Sequence, residues 1–122
     1  MTFQRKALGK RGEEEACKYL QKMGYRLLER NYRCKLGELD IVAKDSPGVL
    51  VFIEVRSRSG KNFGLPEESI NYTKKNKLRT LANYFLMTRP EFTRVPCRFD
   101  IMAVYFNKEG QLEKINHIKN AF

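Results

Sequence analysis

Apolar residues along this chain recur with two periods. Leu8, Gly12, Ala16, Tyr19, Leu20 and Met23 return every three or four positions, which predicts an amphipathic helix over residues ~5–23. Gly24 then stands where a left-handed helix cap belongs. A second stripe of the same period, Leu78, Leu81, Ala82, Phe85 and Leu86, predicts another helix, with Thr73 as its N-cap and Pro90 as its stop. Tyr25–Tyr32 reads as a strand, and residues ~37–44 and ~49–57 as a hairpin closed by the turn-forming run Lys44-Asp45-Ser46-Pro47-Gly48. Ser57–Gly64 is a Gly/Ser/Lys-rich connector. Arg98–Phe106 is apolar with little polar interruption, as in a strand covered on both faces. Lys114–Phe122 adds a short edge strand and packs Phe122 back on the core. The order α-β-β-β-α-β-β describes an α/β layer fold, a mixed sheet flanked by helices. No repeat, low-complexity segment or long linker divides the 122 residues, so a single domain over 1–122 is expected.

The hairpin carries acids where a strand would bury Val or Ile. Side chains alternate along a strand, so Glu38 and Asp40 share one face of the first strand and Glu54 and Arg56 share one face of the second. Closing the turn sets Asp40 and Glu54 opposite one another to within about one residue of register. A carboxylate in an apolar strand is costly unless it is paired, hydrogen-bonded or bound to a cation. The plain explanations are an edge Asp40 held by a nearby Arg and a Glu54–Arg56 ion pair on the solvent face, worth little to stability. The alternative is a divalent-metal site on Asp40 and Glu54, with the Val55 carbonyl as a further ligand.

Charge changes the picture next. Twenty-four Lys and Arg against fourteen Asp and Glu leave +10. Such an excess favours polyanions, meaning nucleic acid or an anionic membrane surface, unless it is only a basic soluble surface. No apolar run approaches the ~18 residues of a membrane span. The N-terminal stretch lacks an apolar signal core. Cys17, Cys34 and Cys97 are odd in number and widely spaced, which suits a reducing cytoplasm rather than a disulfide framework. With no CxxC or HxxxH spacing, a structural zinc site is not expected, and the protein is read as cytoplasmic with no membrane partner.

Two basic runs, Arg56-Ser57-Arg58-Ser59-Gly60-Lys61 and Lys74-Lys75-Asn76-Lys77-Leu78-Arg79, border elements whose apolar faces turn inward. Their charges are expected to face out, either simply solvated or, through Arg58, Lys61, Lys74, Lys75, Lys77 and Arg79, in contact with phosphates. Asp100, also inside an apolar strand, reads as a structural partner for Arg98 or a neighbour of the site, and His117 as a packing or surface residue. Glu13 lies in the run Glu13-Glu14-Glu15 on the first helix, where the helix dipole favours acids that are usually solvated.

Hydrolysing a phosphodiester needs a cation to activate water and offset charge growing on phosphate oxygens. Mg²⁺ or Mn²⁺ on Asp40 and Glu54, inside a basic surface that holds a polyanion, has the parts of a nuclease. At this point the residues match a known pattern. The succession GELDIVAKD…VLVFIEVRSR, preceded by GKRGEEEACKYLQKMGYRLLERNYR and followed by RFDIMAVYF…INHIKNAF, resembles the small YraN-type family of bacterial proteins over nearly the whole chain. That family is similar to the PD-(D/E)xK nuclease superfamily, particularly the archaeal Holliday junction resolvases. The resemblance implies a restriction-endonuclease-like three-layer fold with a metal site on the hairpin strands. It maps the motif's acids onto Asp40 and Glu54 and an N-terminal helical acid onto Glu13.

The chain departs from the superfamily at one position. Arg56 stands where the motif has Lys, and Arg, unlike a buried Lys, does not give up its proton. Arg56 then serves as a fixed cation that stabilises transition-state charge, or Lys74 or Lys77 supplies the ammonium from the following helix, or catalysis is lost and a binding shell remains. The expected function is a Mg²⁺- or Mn²⁺-dependent DNA endonuclease, with branched DNA as substrate and a homodimer as assembly by analogy with resolvases. Its rivals are a non-catalytic nucleic-acid-binding protein on the same fold and a protein–protein adaptor.

Overall fold

The computed structural model describes residues 2–60 and 70–122. Lys61 and residues 61–64 of the expected connector lie outside them. Helix α1 (Thr2–Lys22) leads into strands β1 (Arg26–Cys34), β2 (Gly37–Lys44) and β3 (Leu50–Ser59). Helix α2 (Tyr72–Met87) follows, then a 3₁₀ turn (Pro90–Phe92), β4 (Cys97–Phe106) and β5 (Leu112–Ile118). The strands form one mixed sheet in chain order, β1-β2-β3-β4-β5. β1, β2 and β3 run antiparallel, β3 and β4 pair in parallel over ten positions across the α2 crossover, and β5 returns antiparallel as an edge. This is the α/β architecture expected, three layers with a helix on each face of the sheet.

Each face has its own apolar core. Ala16, Cys17 and Leu20 of α1 pack on Ile41, Ala43, Val51, Ile53, Met102, Val104 and Phe106. Leu78, Leu81, Ala82 and Phe85 of α2 pack on Leu39, Val42, Leu50 and Phe52. β4 is buried from Asp100 through Phe106, as its unbroken apolar run requires. Burying a side chain the size of Phe85 or Phe106 contributes roughly 1.5–3 kcal/mol, so these two layers supply most of the driving force. Phe122 folds back against Phe99, with ring centroids 5.1 Å apart.

Local signals behave as their chemistry dictates, with four corrections. Gly24 adopts φ +94°; its N–H donates to the Gln21 carbonyl and that of Tyr25 to the Leu20 carbonyl, which closes α1. The Asp45 carboxylate accepts from the Gly48 and Val49 N–H groups and fixes the hairpin turn. The N-cap of α2 is Asn71 rather than Thr73: Asn71 is extended and its Oδ1 accepts from the Lys74 N–H at 2.8 Å, so the helix starts earlier. Met23, counted in the α1 stripe, is exposed because the helix ends just before it, and Cys17 is buried instead. β3 runs on to Ser59 because it pairs with β4 along its whole length, so the connector begins later than expected. Lys74, expected to face outward, turns toward the sheet.

Candidate functional site

The sheet forks at Asp40 and Glu54. The β2–β3 ladder ends at the pair Ile41↔Ile53, one step short of these acids. Beyond it β2 stays with β1 as far as Gly37, while β3 stays with β4 as far as Ser59. Asp40 and Glu54 thus face each other where their strands part. In place of the lost backbone pairing, Asp40 Oδ2 accepts the Val55 N–H at 2.8 Å. A residue in a strand sends its N–H and C=O to the same side, so the Val55 carbonyl also projects toward the fork.

Alternation in β2 breaks at the same place. Leu39 packs in the α2 layer and Ile41 in the α1 layer, although residues two apart normally share a face. Across from Asp40, β1 contains Asn31 at φ +53°. This irregularity lets the β2 acids reach α1, where the carboxylate oxygens of Glu13, Glu38 and Asp40 lie within 4.8 Å of one another. Helix α1 comes near enough because residue 12 is Gly: a Cβ there would overlap the Ser57 hydroxyl of β3.

Charge is distributed unevenly around the fork. Glu54 is buried and sits between two cations, with its Oε2 3.5 Å from Arg56 Nε and 3.7 Å from Lys74 Nζ. Asp40 has no such partner within ion-pair distance among the described residues. Burial, then the Glu54 and Glu38 charges, push its carboxyl up to about 7, against the pull of the Val55 N–H and Lys74. Burial and the Asp40 and Glu38 charges likewise push Glu13 up to about 7, although Asn31 and Arg30 oppose the shift. Glu38 is exposed and is held by Arg33 at 2.9 Å. Arg56 Nε and Ser57 Oγ are buried without a hydrogen-bond partner among the described residues.

Two hollows open on this fork. One of about 690 Å³ lies on the α1 side, lined by Gly9, Glu13, Asp40, Glu54, Val55 and Arg56. A second of about 300 Å³ lies on the α2 side, lined by Gly37, Glu38, Asp40, Glu54, Lys74 and Lys77. Asp40 and Glu54 belong to both. A hollow of about 550 Å³ along α1 and β1, bordered by Cys17, Leu27 and Leu28, has no comparable acid cluster among the described residues.

The structure therefore brings together Glu13, Asp40, Glu54, Val55, Arg56 and Lys74 of the residues singled out from sequence, with Lys77 at the margin. Arg58 also lines the α1-side hollow, its guanidinium donating to the Ser57 carbonyl at 2.9 Å, whereas Lys75 and Arg79 lie on another side of α2. Two participants are not among the site residues expected from sequence. Glu38 stands out there only as sharing a face with Asp40, and its two-residue spacing from Asp40 is the available signal. Gly12 looks from sequence like a member of an apolar stripe. Asp100, opposite Ile53 on the neighbouring strand, binds Arg98, His117 and the Asn120 N–H instead of joining the acids of the fork, as the structural reading allowed.

A family model described as uncharacterised protein family UPF0102 matches residues 12–104, a span that contains every residue of the fork. A UPF0102 protein of Desulforamulus reducens is 66% identical over 121 residues, covering 99% of each chain. One from Pelotomaculum thermopropionicum is 49% identical over 122 residues and covers both chains entirely. Among solved structures, the EndoMS–dsDNA2 complex aligns at 19% identity and TM-score 0.37, over 72% of this chain and 34% of that one. SfsA of Pyrococcus furiosus in complex with Ca²⁺ aligns at 17% identity and TM-score 0.36, over 97% of this chain and 63% of that one. Matched from Gly12 to Val104 and alike over its full length to such relatives, the chain belongs to the uncharacterised protein family UPF0102, the YraN-like group its motifs resemble.

Proposed function

We propose that this protein is a Mg²⁺- or Mn²⁺-dependent DNA endonuclease whose reaction centre is the fork between β2 and β3. The observation that carries the reading is the convergence of Asp40 and Glu54 there, with Glu13 and Glu38 beside Asp40, in a protein of net charge +10. The donor set fits a hard divalent cation: all its side-chain atoms are carboxylate oxygens, and their crowding is the kind that a cation relieves. Asp40, Glu54 and the Val55 carbonyl would hold it, with Glu13 as an accessory acid and Glu38 completing the acidic side. Bound there, the cation supplies Lewis acidity toward a phosphate oxygen and an activated water.

The chain's own groups do the rest. The Val55 N–H fixes one Asp40 oxygen and leaves the other free to turn into the fork. Arg56 keeps its charge throughout, so it steadies developing negative charge but takes no proton. Lys74 places an ammonium beside Glu54 from α2, the direction from which a lysine missing at position 56 would be replaced. Arg58, Lys61, Lys75, Lys77 and Arg79 supply further phosphate contacts. Branched DNA is the substrate we favour, and cutting both of its strands symmetrically would require a second copy of the chain.

A second reading has an observation of its own. Glu54 is already compensated by Arg56 and Lys74, so it can serve as a structural acid in a protein that binds nucleic acid without cutting it. Incubating labelled four-way junction, flap, single-stranded and duplex DNA with Mg²⁺ or Mn²⁺ separates the two. Cutting that disappears in EDTA and in Asp40→Asn supports the nuclease. Salt-dependent binding equal in both proteins, without cutting, establishes the binder.

A further inference from the structure

The basic run on α2 is divided by the helix into two surfaces with different tasks. Successive residues turn by about 100°, so Lys74 and Lys75 cannot face the same way. Lys74 points with Leu78 and Leu81 toward the sheet and meets Glu54 at 3.7 Å. Tyr72, Lys75 and Arg79 are spaced i, i+3 and i+7, which aligns them on one flank of the helix. Tyr72 is 75% exposed, Arg79 is exposed and Lys75 half-buried. The flank continues to the end of the chain, where the Arg79 guanidinium lies 5.6 Å from the centroid of the Phe122 ring. Single exposed apolar residues are ordinary on a protein surface. Tyr72 differs because it is exposed on the helix flank that also carries two cations, only two positions from a residue inside the fork.

We propose that Tyr72 is a stacking platform for an unpaired nucleobase, with Lys75 and Arg79 holding phosphates that flank it. An aromatic face among cations is the recurring means of gripping single-stranded nucleic acid, since every base has a face to stack. Bases inside a duplex are already stacked and cannot lie on such a ring without leaving their partners. The substrate class that satisfies both the ring and the fork is therefore DNA with an unpaired base close to the scissile phosphate, such as a flap, fork or opened junction, rather than intact duplex. The part that concerns cleavage rests on the proposed nuclease, whereas the stacking itself does not.

Fluorescence anisotropy in EDTA, where no cutting takes place, tests the platform separately from the nuclease. The probes are a single-stranded oligonucleotide, a forked duplex and a blunt duplex of the same length. Tyr72→Ala is expected to weaken the first two roughly five- to hundredfold, the range carried by one lost base–aromatic stack, and to leave the blunt duplex within about twofold. Tyr72→Phe keeps the ring and should bind like wild type. Lys75→Gln removes a phosphate contact and should weaken all three probes alike, with a shallower salt dependence. Unchanged fork and single-strand affinity in Tyr72→Ala, or an equal loss on blunt duplex, would overturn the platform even if the protein cuts DNA. A selective loss in Tyr72→Ala upholds it even if the protein cuts nothing.

Discussion

Two Asp residues lie inside apolar strands of this sheet, and their surroundings are opposite. Asp100 in β4 is fully buried, and every oxygen has a partner: Arg98 Nε at 3.0 Å, His117 Nε2 at 2.8 Å and the Asn120 N–H at 2.9 Å. Arg98 in turn donates to Asp45 and Tyr25, so one guanidinium ties together the hairpin turn, the residue before β1 and the start of β4. Burial works against the Asp100 carboxylate, yet His117, the Asn120 N–H and Arg98 hold it below the usual range. At the fork, burial and neighbouring acids push Asp40 the other way, to about 7. Asp100, opposite Ile53, belongs to a satisfied charge network. The fork, one strand away, gathers carboxylates that lack enough positive charge, a condition common at functional sites.

Breaking the satisfied network should give the largest effect. Asp100→Ala leaves a part-buried Arg98 with one of its carboxylates gone, and should cost roughly 3–5 kcal/mol in urea unfolding, the loss typical of a broken buried pair. A loss below about 1 kcal/mol would erase the contrast between the two Asp residues.

Asp40→Asn should have the opposite sign. It relieves repulsion with Glu13, Glu38 and Glu54 while Asn still accepts from Val55, and at pH 7.5 should stabilise the protein by on the order of 1–3 kcal/mol, given about 1.4 kcal/mol per pKa unit before screening. The pH dependence follows the same logic. Asp40 and Glu13 keep protons in the folded state that the unfolded chain has released, so their contribution is present below about pH 4 and is lost as pH rises through about 7. Asp100 contributes above its unfolded value and loses that contribution only as pH falls through its lowered folded value. Urea midpoints between pH 4.5 and 7.5 in metal-free buffer should therefore decline with rising pH in wild type and flatten in Asp40→Asn. An unchanged slope in the mutant would show that the fork is not where the excess negative charge resides.

Smaller changes test how the fork is assembled. Gly12→Ala presses a methyl group into Ser57 and should cost about 1–3 kcal/mol by overpacking, read by thermal unfolding. Asn71→Ala should cost about 1 kcal/mol through loss of the α2 cap, while Thr73→Ala costs little. Equal effects at 71 and 73 would overturn the assignment of the cap that sets Lys74.

Much of the molecule was legible in its sequence, for physical reasons. Helix and strand periods survive tertiary packing when each face of the sheet has a helix to cover it, so the stripes of α1 and α2 and the alternating hairpin identified the layers. The pairing of Asp40 with Glu54 followed from a tight turn, because turn length fixes register. What was not legible depends on contacts distant in sequence or on local exceptions. The break of alternation between Leu39 and Ile41 has no signature in residue type. The approach of α1 to Ser57 gives Gly12 its meaning, and nothing near Gly12 announces it. Lys74 and Lys75 are chemically identical neighbours, and only the phase of a helix begun by Asn71 sends one toward Glu54 and the other to the flank of Tyr72 and Arg79.

The most direct test of the fork as a cation site is calorimetric titration of Mn²⁺ into the metal-free protein at pH 7.5, comparing wild type with Asp40→Asn. The expected result is saturable binding by wild type that weakens at least about tenfold in a mutant that is folded and at least as stable, a loss of about 1.4 kcal/mol or more in binding. Equal binding by the two proteins, or none by folded wild type, would contradict it.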